Sequence, residues 1–234
     1  MRRTARRLGR LERNAGLLAL TGSVCFASAG ASAAPAPDLF RLTIVGTAHQ
    51  EWDHTSAPVE SEGCLRSVRS EGERSVRFRT TRPTLVRVVS GRVLRAELRH
   101  FAGTVAFTGP NTVNKVCGTT ETHTAQPCAK TSRSFNSGTA TVASPRRGTI
   151  ALGPIGNVRL GRIECPDQPS DVMVAPLGPV PSPLRISVAT LTKKRFSRIT
   201  LSASASRRKN YGAPEKGTSV QRSKWTFTFV RVEP

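Results

Sequence analysis

This sequence of 234 residues lacks the short motifs that announce a chemistry. It has no Gly-x-Ser-x-Gly elbow, no His-Glu-x-x-His pair and no Asp-rich calcium loop, so those serine-hydrolase, zinc-protease and EF-hand signatures are excluded. Paired Cys-x-x-Cys knuckles are missing too, which argues against a structural zinc site. Beyond residue 33 no stretch approaches the roughly 18 apolar residues of a membrane-spanning helix. Helix formers cluster nowhere, and only 94–99 has fair helix propensity. Acidic side chains are scarce: 15 Asp and Glu stand against 36 Lys and Arg, a formal charge of +21.

What is present begins with an address. Arg2, Arg3, Arg6, Arg7, Arg10 and Arg13 precede an uncharged, small and apolar run over 15–33, which ends Ala31-Ser32-Ala33. This is the layout of a cleaved export signal over 1–33, and it predicts a secreted or extracytoplasmic protein. Its removal takes six arginines and one glutamate, leaving 30 basic and 14 acidic residues. A positive field of that size draws anionic partners: nucleic acid, anionic lipid, wall polymers or acidic glycans. In composition the chain resembles small secreted proteins of high-GC bacteria, a likeness that carries no functional residue.

Four cysteines follow the signal: Cys64, Cys117, Cys128 and Cys165. An even number in an exported chain predicts disulfides, with three possible pairings. The 11-residue separation suggests that Cys117 and Cys128 staple one hairpin or loop, with Cys64 and Cys165 joining distant strands.

Period-two alternation dominates the rest, as a sheet with one buried face requires. After a lead-in over 34–38, Phe40, Leu42 and Ile44 alternate with Arg41, Thr43 and Val45 toward Trp52. Residues 55–73 read as a polar loop or irregular hairpin around Cys64. Val76 and Phe78 then oppose Arg77 and Arg79. Short strands are expected over 85–89, 93–98, 104–107, 112–117, 121–124, 139–143, 150–152 and 158–163, closing a β-rich region over 39–165. The six prolines of 166–183 predict a segment that hugs the surface. Over 184–234, Leu184, Ile186 and Val188 suggest one strand, and Ile199, Leu201, Ala203 and Ala205 a second. A basic loop over 207–218 separates these from a last strand that sets Trp225, Phe227 and Phe229 on one face. Ten to twelve short strands predict an all-β fold: a disulfide-linked antiparallel sandwich or barrel, or two small sandwiches packed together.

Candidate site residues fall into two sets. His49, Glu51 and Asp53 share a face of an extended strand, where an imidazole and carboxylates could take a metal or supply an acid and a base. The basic groups are Lys193, Lys194 and Arg195 with Arg198, and Arg207, Arg208 and Lys209 with Tyr211, Lys216, Arg222 and Lys224; a third is Arg74, Arg77 and Arg79 near Arg82. Convergence of the first two groups at one hairpin would make an anion-binding edge with Tyr211 as a stacking surface. Equally, cations on exposed edges prevent sheets from pairing between molecules. No cofactor and no specific nucleic acid is expected. The expected partner is an anionic cell-surface polymer or glycan; the rival readings are a hydrolase of wall or glycan material, with Glu60, Glu62, Glu71 and Glu73 as carboxylates, and an adhesion module working through edge strands.

Overall fold

The computed structural model describes residues 36–127, 131–159 and 175–232. The expected export signal over 1–33, Cys128, Cys165 and most of the expected strand over 158–163 lie outside the described residues.

Fifteen strands and one short helix are described. Four long strands form the frame: β1 (Asp38–Thr55), β3 (Cys64–Thr80), β14 (Arg198–Asn210) and β15 (Lys216–Arg231). β1 pairs antiparallel with β15 on one side, from Phe40 opposite Arg231 to Thr55 opposite Lys216. On its other side it pairs with β4 (Thr84–Val89) through its first residues and with β3 through its later ones. β3 is shared in the same way, by β7 (Phe101–Thr108) along its second half and β8 (Pro110–Cys117) along its first. β10 (Thr131–Asn136) flanks β7, while β9 (Thr120–Pro127) flanks β8. With β2 (Val59–Ser61) and β5 (Arg92–Val93) these make an eleven-stranded antiparallel sheet. A four-stranded sheet of β13 (Leu184–Arg185), β12 (Thr149–Leu152), β11 (Thr139–Ala143) and β6 (Ala96–Arg99) packs on it.

The inward positions expected from alternation hold. Phe40, Leu42, Ile44, Phe227 and Phe229 are fully buried, and Val76, Phe78 and Trp225 nearly so. Each such side chain contributes about 1.5–3 kcal/mol of burial free energy. They meet Leu98, Val142 and Ile150 of the smaller sheet in one core. Gly46 makes room for this packing. A Cβ there would strike the Phe78 ring and lie 2.7 Å from the Lys224 carbonyl.

Several expectations need correction. Residues 64–73 are strand, the first half of β3, joined to β2 through Glu62 and Gly63, both at positive φ. Their alternation is hidden because the buried positions are Cys64, Val68 and Ser70, the last of which accepts from Trp52 Nε1 at 3.1 Å. The end of the Pro-rich stretch does not stay on the surface. Leu177 is buried in the core, and the Pro179 carbonyl accepts from Ser223 Oγ at 2.5 Å and Trp225 Nε1 at 3.1 Å. The strand expected over 184–189 stops at Arg185, and α1 (Val188–Thr192) follows, burying Leu191. Arg231 anchors that helix: its guanidinium donates to the Leu191 and Lys193 carbonyls, pairs with Asp38 and stacks over Phe40.

The expected cysteine pairing is replaced. Cys64 is bonded to Cys117 across the β3–β8 pair, with the Cα atoms 4.4 Å apart. Register explains it. Leu65 lies opposite Val116, so the next positions outward are the two cysteines. Cys117 is thereby committed away from Cys128.

Candidate functional site

The outward face of the large sheet takes the other half of each alternation. Every second residue of β1, β3, β14 and β15 points away from the core, and these are mostly Thr, Ser, Arg and Lys. Register aligns them into rows. Ser204 of β14 lies opposite Lys224 of β15, and Lys224 opposite Thr47 of β1. Thr47 in turn lies opposite Arg77 of β3. The next row along the strands holds Ser206, Arg222, His49 and Ser75.

These eight side chains line an open hollow of about 560 Å³, with Ala48, Val76, Ala205 and Ser223 at its floor. Three cations and four hydroxyls converge there. Arg77 and Lys224 have no ion-pair partner among the described residues, whereas Arg222 reaches Glu51 at 3.6 Å. Guanidinium, ammonium and hydroxyl groups all donate hydrogen bonds, and together they suit sulfate, phosphate or carboxylate oxygens.

His49, Glu51 and Asp53 do share this outward face. Their chemistry is spent locally, however. His49 Nε2 lies 2.9 Å from Glu51 and its Nδ1 3.2 Å from Ser75 Oγ. Asp53 turns to Arg69, which donates to it at 3.3 and 3.2 Å and also reaches Glu71 at 2.5 Å. Those carboxylates hold the Arg69 guanidinium above its ordinary value, first through the Asp53 hydrogen bond. Among the described residues, no three His, Cys, Asp or Glu side chains are grouped as a metal-ligand set. Glu62 pairs with Lys115 at 3.4 Å and Glu73 approaches His49 at 3.9 Å, all on open surface.

The two basic groups whose convergence would make an anion-binding edge lie at opposite ends of β14. Lys193, Lys194 and Arg195 precede β14, while Arg207, Arg208 and Lys209 sit near its end. From Arg198 to Arg207 the strand runs about 30 Å, at 3.3 Å per residue. Alternation then splits the second group. Arg208 shares the outward face with Arg222, whereas Arg207 and Lys209 lie opposite Gln221 and Ser219, which face inward. Tyr211 is no open stacking platform: Lys209 Nζ sits 4.2 Å from its ring centre and the His54 ring 4.3 Å away. Arg74 is 1% exposed and donates to the Ala175 carbonyl at 3.0 Å, so of the third group only Arg77 and Arg79 face outward.

Thr47, Ser75, Ser204 and Ser206 belong to no motif in the sequence. Their outward parity is legible in the alternation; the register that unites them is not. No protein-family model, curated protein or solved structure matches the chain.

Proposed function

We propose that this is an exported β protein that binds an anionic surface polymer or glycan through the outward face of its large sheet. The observation that carries the reading is the hollow that Arg77, Arg222 and Lys224 line together with four hydroxyls. Of these cations Arg77 and Lys224 have no ion-pair partner among the described residues, and exposed cations of that kind attract a polyanion with a strength that falls as salt rises. The export-type segment over 1–33 and the Cys64–Cys117 bond support placement outside the cytoplasm. Among the described residues no helix is long and apolar enough to cross a membrane.

The test is retention on an immobilised sulfated glycan. Charge reversal of Arg77→Glu with Lys224→Glu lowers the salt needed for elution, while Lys193→Glu with Lys194→Glu shifts it much less. The reverse ranking contradicts the reading.

A second reading rests on β9. Its residues 120–125 are exposed, it pairs only with β8 among the described residues, and Glu121 and His123 are its only ionisable side chains. Such an edge suits strand addition by another chain. Thr124→Pro abolishes concentration-dependent association if that edge is used; association unchanged in this variant removes the reading.

A further inference from the structure

We infer that the ligand is a linear anionic glycan lying across the strands, threading two hollows in series, rather than a compact anion held in one. The inference rests on the anion-binding reading above and specifies its ligand.

Register carries it first. The row Ser204, Lys224, Thr47, Arg77 does not stop at β3. Arg77 lies opposite Thr104 of β7, and Thr104 opposite Ser134 of β10. Six directly opposed residues on six neighbouring strands are therefore all polar, and all six are exposed. Five strand spacings of about 4.8 Å give a path of about 24 Å.

The second observation is a further hollow of about 480 Å³ at the β10 end of that row. Val45, Arg79, Ala102, Thr104 and Ser134 line it, and Arg77 belongs to both hollows. Lys224 and Arg77 stand two strands apart, about 10 Å, with the Thr47 hydroxyl between them. That spacing, with Arg79 beyond it in the second hollow, fits a chain carrying more than one anionic group with hydroxyls between. Val45, 48% exposed, offers an apolar contact to the C–H face of a sugar ring. Every Phe and Trp side chain on these six strands is buried, and the one half-exposed ring, His49, is held by Glu51 and Ser75, so a single-stranded nucleic acid finds no row of stacking platforms here.

The experiment is calorimetric titration of the full chain with heparin-derived oligosaccharides of graded length as probes. Affinity is expected to rise with length until the path is filled, and then to level. Arg79→Ser, in the second hollow only, weakens the long oligomers by about three- to five-fold, the upper range for one exposed ion pair. Lys224→Ser weakens them similarly. Both side chains are exposed, and an unchanged circular dichroism spectrum confirms that the variants fold. Affinity independent of length, with Arg79→Ser silent and Lys224→Ser still weakening, overturns the path but leaves the anion-binding face standing. Absence of binding at every length overturns both. A single-stranded DNA that binds more tightly than a glycan of equal charge overturns the choice of ligand.

Discussion

Replacing Cys64 and Cys117 together by serine removes a bond that closes a loop of 53 residues. By loop-closure entropy, a link of that span takes about 14 cal/mol/K from the unfolded chain, or about 4 kcal/mol at 25 °C. For a chain of this size each kcal/mol moves the unfolding midpoint by about 2–4 °C, so the double variant melts roughly 8–16 °C lower. The bond ties the start of β3 to the end of β8, where Val68 is the only buried aliphatic side chain and Leu65 and Val116 are exposed, so little apolar burial compensates. Thermal unfolding followed by circular dichroism, without reductant, measures the shift. A non-reducing peptide map of the wild type identifies the pair. A melting loss under about 2 °C contradicts the loop-closure argument, and a map joining Cys117 to Cys128 contradicts the register itself.

Three further outcomes are expected. Gly72→Ala destabilises by about 1–3 kcal/mol through overpacking, because the new Cβ meets the Trp52 ring and lies 2.6 Å from the Thr108 carbonyl; tryptophan fluorescence under urea reports it. Leu177→Ala costs about 2–5 kcal/mol if the 175–181 segment seals the core as described, and an unchanged urea midpoint refutes that seal. The Glu97 carboxyl, hydrogen-bonded by Arg99 at 2.8 Å and beside its charge, titrates below the ordinary glutamate range. Since the folded value is the lowered one, the stability this pair contributes is present above that ordinary range and is lost as pH falls through the lowered value. Carbon-detected NMR of Glu97 checks it, with the midpoint rising in Arg99→Gln.

The alternation of Phe40, Leu42 and Ile44, and of Trp225, Phe227 and Phe229, made the frame readable because a half-buried sheet demands it. The first half of β3 was unreadable for a physical reason: its buried positions are Cys64, Val68 and Ser70, only one of them aliphatic, and Ser70 is satisfied by Trp52 of another strand. Leu177 was equally hidden among prolines, since nothing local shows that its segment turns inward. The candidate site divides in the same way. Outward parity marked Arg77 as exposed, and it correctly set His49, Glu51 and Asp53 on one face. The row from Ser204 to Ser134 depends on five strand registers, which are set by pairing between distant segments. Counting basic residues along the chain favoured the cluster at 207–209, yet alternation sends Arg207 and Lys209 to one side of the sheet and Arg208 to the other.

Lysine footprinting tests the central claim most directly. The folded chain is acetylated with and without a saturating sulfated glycan, and modification at each lysine is read by mass spectrometry. Lys224 is expected to be protected by the glycan, while exposed Lys193 and Lys194 react as before. Protection at Lys193 and Lys194 with Lys224 still reactive would place the ligand at the far end of β14 and contradict the account.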